Sequence, residues 1–138
     1  MGLDVAHDLN FMQSWYWDLN DRTRDFAKRF YAKRKRMPND NFALYSSVRH
    51  YLEAVAKTRT DDTGTVTSAM HEAPIHDIFT DNGIVRADER VLYDRYLMRV
   101  KSPAEPKYPW DYLEVVAKVP SAEAFRPPGA GGCDLGLR

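Results

Sequence analysis

Two histidines and two acidic residues lie close together near the middle of the chain: His71, Glu72, His76 and Asp77. Side chains of these types hold a metal ion when the fold brings them to one point. Pro74 interrupts any helix that would align the two pairs, and their spacing matches no common ligand motif. We therefore predict no metal site from these residues.

A pair of serines and a histidine offer the residue types of a nucleophile and its base. Ser46 and His50 are four residues apart, which places them side by side on a helix, and Ser47 adjoins them. No third orienting residue and no sharp turn at the serines accompany them, so a plain helix face explains the pattern better. Glycine-rich phosphate loops are absent, and no pair of titratable groups is placed for acid–base chemistry. The sequence thus predicts no enzyme, no catalytic residue and no cofactor.

A run of four basic residues could bind nucleic acid: Lys33, Arg34, Lys35 and Arg36. No aromatic or glycine-rich partner surrounds the run, and 20 basic residues balance 20 acidic ones over the whole chain. Basic side chains also suit the negative end of a helix dipole. We expect a solvated helix end and no nucleic-acid partner.

Composition limits the class of protein. A chain of 138 residues with 43% hydrophobic and 29% charged residues is typical of one soluble globular domain at most. No apolar run approaches the roughly 20 residues of a membrane span. The first ten residues carry Asp4, His7 and Asp8 where a signal peptide has a basic start and an apolar core. A cytoplasmic location is therefore expected if the chain is expressed as written.

Cys133 is the one cysteine, so it has no partner for an internal disulfide. It lies in a glycine-rich tail, where a reactive thiol is one interpretation. The other is half of a disulfide whose second cysteine belongs to a part of the protein outside this sequence. Both interpretations stay open.

Three helices are predicted from spacing. The first covers residues 22–36, with Asp18, Asn20 and Asp21 as possible N-caps and a stop at Met37-Pro38. The second is the most clearly amphipathic, and its apolar positions form one stripe: Leu44, Val48, Tyr51, Leu52 and Val55. A shorter third helix is marked by Val66, Ala69 and Met70 and ends before Pro74.

Two strands follow a loop of residues 74–83, in which Asn82-Gly83 is expected to supply the positive backbone angle of a tight turn. The first strand spans residues 92–100, because apolar side chains recur there at every second position. A proline-rich connection of residues 101–110 leads to the second strand, residues 112–119. Its predicted apolar face consists of Leu113, Val115, Ala117 and Val119. Residues 11–17 are either a short strand or a crossing segment.

The order of several short segments resembles the C-terminal third of a known family. They are WDLND (residues 17–21), residues 42–55, PIHDIF (74–79), NGIVRAD (82–88), YDRYL (93–97), VKSPAE (100–105) and WDY (110–112). The family is the branched-chain amino-acid type of periplasmic substrate-binding protein, the ligand receptor of an ABC importer. The resemblance covers nearly all of the chain but lacks the first two-thirds of such a protein.

The resemblance implies a partial type I periplasmic-binding-protein fold of the α/β class. Residues 1–138 would form a single incomplete domain, with residues 121–138 as an irregular tail. The second and third helices and the two strands would belong mainly to one lobe, and the tail would return toward the other. The function implied is capture of a branched-chain or related amino acid without catalysis, for an ABC permease in the periplasm. The alternative is a truncated stand-alone interaction or oligomerisation module with no transport role.

Aromatic residues are the candidate ligand contacts. Trp15, Tyr16 and Trp17 are adjacent, and by themselves they are typical of a core or interface plug. By resemblance, Tyr16 and Trp17 would lie at the hinge where the ligand cleft closes, and Tyr45 would lie near the same cleft. Because the rest of the family fold is missing, the stripe of the second helix and the apolar strand face would lack cover. We therefore expect a homo-oligomer.

Overall fold

The computed structural model describes residues 2–39 and 43–132, which form five helices and five strands. In chain order they are α1 Leu3–Ala6, β1 Asn10–Gln13, α2 Asp21–Arg34, α3 Ala43–Thr58, α4 Thr63–Glu72, β2 Ile84–Val85, β3 Val91–Leu92, β4 Arg95–Val100, β5 Leu113–Val119 and α5 Ser121–Ala124. None of the helices in these two ranges has the length and apolar character that crossing a membrane requires. The α/β class predicted from the sequence is confirmed.

The described residues divide into two compact units. The first contains residues 2–39 and 95–119, and the second contains residues 43–94 and 120–132. The long strands β4 and β5 therefore lie in a different unit from α3 and α4, and the described part of the tail lies in the same unit as these helices. The predicted grouping of these elements is wrong on both counts. The expected single domain over residues 1–138 stays a prediction, and the predicted irregular tail contains the single turn of α5.

The first unit is built on a three-stranded antiparallel sheet of order β1-β4-β5. Of the two interpretations of residues 11–17, the strand is confirmed for the part that lies in β1. Met98 stands at the centre of the sheet, paired with Phe11 on one side and Val115 on the other, and it is completely buried. The predicted first strand is divided, because Tyr93 and Asp94 separate β3 from β4.

A β-bulge changes which side chains of β5 share a face. Leu97 pairs with Ala117 and Met98 pairs with Val115, so Val116 has no partner on β4. Side chains of directly paired residues lie on the same face of an antiparallel sheet. The predicted apolar face of β5 is therefore wrong, because its four members divide between the two faces: Leu113 and Val115 on one, Ala117 and Val119 on the other.

Helix α2 begins and ends through local backbone chemistry. Asn20 is the N-cap, as its side chain accepts a hydrogen bond from the amide of Thr23, and the Thr23 hydroxyl accepts one from the amide of Asn20. The helix ends at Arg34 because Lys35 adopts the left-handed conformation, with φ of 56°. It therefore stops before the predicted Met37-Pro38 signal. Asn20 confirms one of the predicted N-caps.

The second unit contains the pair α3 and α4, whose small buried core is formed by Ala54, Val66 and Ala69. Helix α3 buries a narrow face of small and polar residues, including Ser46 and His50. Four members of its apolar stripe face outward, with exposed fractions of 71% for Leu44, 50% for Val48, 44% for Tyr51 and 56% for Leu52. Val55, the fifth member, packs against the core. The expectation that this stripe lacks cover is confirmed for the four outward-facing residues and is wrong for Val55.

The loop before β2 closes through a close backbone approach. Ile75 and Gly83 exchange two backbone hydrogen bonds, of 2.7 and 3.1 Å. Neither Asn82 nor Gly83 has a positive φ, so the predicted backbone angle is wrong. Glycine is required for another reason: a Cβ atom at residue 83 would lie 2.7 Å from Cγ2 of Thr80 and 2.9 Å from Cβ of Ile75.

Candidate functional site

The aromatic residues after β1 divide between the core and a cavity. Trp15 is completely buried, and its ring meets the ring of Phe26 on α2 edge to face, with centroids 6.4 Å apart. Tyr16 is also buried, whereas Trp17 is partly exposed. The rings of Tyr16 and Trp17 are 5.7 Å apart. The interpretation of this run as a core plug therefore holds for Trp15 and Tyr16, and Trp17 is the member that reaches a surface cavity.

The cavity lies in the first unit, between α2 and the connection that joins β4 to β5. Its volume is about 340 Å³, within the range of small-molecule sites. The walls are mainly apolar and come from Ala27 and Tyr31 on α2, from Trp17 and Met37, and from Pro109 and Trp110. Two basic residues of α2, Arg24 and Lys28, also line it.

Trp110 is held in the cavity wall by a tight turn. The amide of Asp111 donates to the carbonyl of Tyr108, which puts Pro109 and Trp110 at the two central positions. Trp110 has φ of 74°, the angle that a type II turn needs at its second central position and that glycine or asparagine normally supplies. For a tryptophan this conformation costs roughly 1–2 kcal/mol. The surrounding contacts offset the strain, among them the ring of Tyr31 at 6.2 Å.

Asp18 joins α2 to the connection beside the cavity. Arg24 donates to Asp18 and to Asp21, each at 2.8 Å, and the hydroxyl of Tyr108 donates to Asp18. The hydrogen bond to Asp18, followed by burial, raises the pKa of Tyr108 to about 12. Tyr108 is therefore a neutral donor at physiological pH. The guanidinium of Arg24 is already occupied by two carboxylates.

Tyr16 lies buried next to this network. Burial, followed by the nearby carboxylates of Asp111 and Asp18, raises the pKa of the Tyr16 phenol. Its hydroxyl lies close to the backbone of Leu113 without a hydrogen bond of normal geometry. Tyr16 supports the wall behind Trp17, since its ring packs against the Trp17 ring.

The predicted ligand residues belong to both units. Tyr16 and Trp17 are adjacent in the first unit, and of these Trp17 lines the cavity. Tyr45 lies on α3 in the second unit, where it is exposed. Ligand contact by each of the three stays a prediction. Sequence reasoning missed Tyr31 and Trp110; the signal that pointed to Trp110 was its position directly after Pro109, where a turn was to be expected.

The histidines that the sequence analysis rejected as metal ligands or as a catalytic base have hydrogen-bond partners in the fold. His71 bonds the carboxylate of Glu89 at 3.0 Å, which raises the pKa of His71, while His50 is buried and bonds the carbonyl of Met70 at 3.0 Å. His76 bonds the carbonyl of Asp81 at 3.1 Å. Within residues 2–39 and 43–132, no three histidine, cysteine or acidic side chains are grouped as metal ligands.

Two further features from the sequence analysis remain, the basic run of residues 33–36 and Cys133. The side chains of residues 33–36 are exposed at the end of α2, which confirms the solvated helix end. The prediction that they bind no nucleic acid stays a prediction. Cys133 lies outside the described residues.

Comparison with protein families decides what kind of protein this is. Residues 1–105 match the model of a family described as periplasmic binding protein. The chain belongs to this periplasmic binding protein family. No curated protein sequence matches the chain. The resemblance found in the sequence is thereby confirmed, and the family's setting is the periplasm.

Solved structures of the periplasmic binding protein family agree closely with the fold. A periplasmic binding protein from Burkholderia mallei is 39% identical with a TM-score of 0.88, over 92% of this chain and 34% of that one. A branched-chain amino acid ABC transporter periplasmic ligand-binding protein from Burkholderia xenovorans is 40% identical with a TM-score of 0.86, over 91% and 34%. An amino acid ABC transporter substrate-binding protein from Pseudomonas fluorescens is 26% identical with a TM-score of 0.80, over 97% and 36%. This chain thus spans about a third of their length, and the partial type I fold is confirmed.

Proposed function

We propose that the chain contributes part of the solute-binding component of an ABC importer for branched-chain or related amino acids. The observation that carries the proposal is the 40% identity to the branched-chain amino acid protein of Burkholderia xenovorans over 91% of this chain. The proposed partners are an amino acid and an ABC permease, and the proposed location is the periplasm. Binding proceeds without covalent chemistry.

The charge network around Arg99 is suited to a structural role and not to acid–base catalysis. Arg99 bonds three carboxylates at once, those of Asp8, Glu105 and Glu114. These bonds lower the pKa of Glu105 to about 2, with Arg99 as the largest cause. A general acid or base works best with a pKa near the operating pH. The network therefore serves to hold the fold, and we expect no turnover of amino-acid derivatives.

Calorimetry of the chain with leucine, isoleucine and valine is the first test. A closed cleft binds a zwitterion with polar groups from both of its walls, and this chain spans about a third of its relatives' length. We expect dissociation constants no tighter than about 1 mM for the chain alone. Saturable micromolar binding to a monomer would show instead that this chain builds a complete site.

A chimera is the second test. It supplies the rest of the family fold, so that a missing part of the cleft no longer limits binding and the substrate class itself is tested. In it, this chain replaces the matching segment of the Burkholderia xenovorans protein. We expect a folded chimera that binds at least one branched-chain amino acid at least about a hundredfold more tightly than this chain alone. A folded chimera that binds none of the three amino acids would contradict the proposed substrate class.

The alternative function is an interaction or oligomerisation module without a transport role. The exposed apolar stripe of α3 favours it, because patches of this kind mark contact surfaces. Under this alternative the chimera would fold without binding an amino acid, while the isolated chain would self-associate.

A further inference from the structure

The cavity in the first unit has the properties of a small-molecule site of its own. Its volume of about 340 Å³ suits a ligand with a single ring, and every residue that lines it belongs to one unit. Nothing in its geometry depends on the second unit.

Aromatic rings dominate the apolar walls. Trp17, Tyr31 and Trp110 line the cavity together, with Met37 and Pro109 beside them. Such walls favour a flat apolar body, which stacks on ring faces or meets ring edges. A branched aliphatic side chain would fill the volume but would leave these stacking contacts unused.

The strained backbone of Trp110 gives an independent reason to assign function to this wall. A turn of this shape accepts glycine without strain, yet the sequence has a tryptophan at φ of 74°. Strained backbone angles persist only where the surrounding structure holds them, and they cluster at active sites and ligand sites. Here the side chain that the turn places is a wall of the cavity.

Two basic residues, Arg24 and Lys28, line the cavity almost entirely through the apolar atoms of their side chains. The guanidinium of Arg24 is occupied by Asp18 and Asp21. The ammonium of Lys28 has a looser partner, Asp25 at 3.6 Å, and its side chain is 79% exposed. The exposed ammonium of Lys28 is therefore the cation near the cavity that is open to a further anionic partner, and among residues 2–39 and 43–132 no carboxylate lines the cavity.

The geometry points to a binding site for a small aromatic carboxylate. The aromatic ring packs against Trp17, Tyr31 and Trp110, and the carboxylate accepts a hydrogen bond from the ammonium of Lys28. This is a non-covalent site that goes beyond the proposed binding of branched-chain amino acids.

The tryptophans allow a direct test by nuclear magnetic resonance. The chain has three tryptophans, of which Trp17 and Trp110 line the cavity and Trp15 is completely buried outside it. On titration with sodium phenylacetate, we expect the indole N–H resonances of Trp17 and Trp110 to shift with a dissociation constant of about 1 mM. The resonance of Trp15 is the internal control and should stay in place. The Trp17→Phe and Trp110→Phe variants assign the resonances.

Matched ligands and variants separate the ring from the charge. Benzyl alcohol keeps the ring without the charge and should bind about threefold more weakly, as expected for loss of one exposed ion pair. Sodium acetate keeps the charge without the ring and should produce no saturable shift. Lys28→Gln should weaken phenylacetate binding by the same factor of about three. Lys33→Gln removes an exposed charge of the same helix outside the cavity and should leave the affinity unchanged.

Trp110→Gly removes the ring at a position where the turn accepts glycine, so the fold is retained and phenylacetate binding should be lost. The proposal is overturned if Trp17 and Trp110 show no saturable shift up to about 10 mM phenylacetate. It is also overturned if Trp15 shifts with them to the same extent, or if Lys28→Gln and Lys33→Gln bind phenylacetate equally well.

Discussion

Lys101 and Asp111 form a buried ion pair that closes the connection between β4 and β5. The side chain of Lys101 is 16% exposed and that of Asp111 is 3% exposed. The second carboxylate oxygen of Asp111 accepts a hydrogen bond of 3.0 Å from the backbone amide of Lys107. Burial alone would raise the pKa of Asp111, but the bonds from Lys101 and the Lys107 amide outweigh it and hold this pKa below its usual value. The pair thereby fixes the turn that carries Trp110, the residue before Asp111.

Asp111→Asn tests how much this ion pair contributes to the free energy of unfolding. Removal of one partner leaves the Lys101 charge buried without compensation, so we expect the free energy of unfolding to fall by about 3 kcal/mol. Urea titration followed by circular dichroism measures the change. Asp25→Asn is the matched control, because its carboxylate is largely exposed, and it should change the free energy by less than about 0.5 kcal/mol. Equal effects of the two substitutions would show that the buried pair contributes little.

Stability should decline in acid through the Arg99 network. The pKa of Glu105 falls from its usual 4.5 to about 2 in the folded chain, through Arg99 first and then the amide of Ser102. A carboxyl with a depressed folded pKa stabilises the fold above its unfolded pKa, and this stabilisation is lost as the pH falls through the folded value. We therefore expect the urea midpoint to decrease between about pH 4.5 and pH 2.

Glu105→Gln identifies the source of this pH dependence. The variant lacks the titrating group, so its stability deficit relative to the original chain should shrink as the pH falls toward about 2. Glu72→Gln removes one carboxylate from the other unit and leaves the bonds of Arg99 intact, so its curve should run parallel to the original. A deficit of Glu105→Gln that is constant with pH would contradict the assignment.

Substitution of two glycines by alanine should affect the stability of the fold differently. Gly83→Ala would bring a methyl group to 2.7 Å from Thr80 and 2.9 Å from the buried Ile75, so we expect a loss of about 1–3 kcal/mol. Gly64→Ala lies in α4, where the nearest atom is an oxygen of Asp62 at 3.6 Å. There alanine should be neutral or should stabilise by up to about 1 kcal/mol. Thermal melting of both variants measures the difference, and equal melting temperatures would contradict the close approach.

Self-association should depend on the apolar stripe of α3. Each exposed side chain of the stripe gains roughly 1.5–3 kcal/mol when it is fully buried, so a second copy of the chain is the expected cover. Sedimentation equilibrium over a wide concentration range should show a dimer or larger assembly. Leu44→Lys combined with Leu52→Lys should shift the chain toward monomer, whereas Glu53→Lys, at an exposed position on another face of the helix, should not. A compact monomer of the original chain at every concentration would exclude the association.

Local patterns in the sequence predicted the three longer helices, α2, α3 and α4, but not the single turns α1 and α5. Residues within a few positions of one another define them: the Asn20–Thr23 capping box starts α2, and the spacing of Leu44, Val48 and Leu52 forms the stripe of α3. The two long strands were also predicted, since alternation of apolar residues is a local signal. The order of segments further identified the family, which residues 1–105 confirm.

Contacts between residues distant in the sequence decided the β5 bulge, the need for glycine at position 83 and the cavity. The bulge at Val116 depends on pairing with β4, and the need for glycine at position 83 depends on the approach of Ile75. The cavity brings together Trp17 and Trp110, which are 93 positions apart in the sequence, with residues of α2 as a further wall. Propensity and spacing act over one or two turns of chain, whereas these features arise only when packing brings remote segments together. For this reason the tertiary structure, and not the sequence pattern, placed Trp110 beside Trp17.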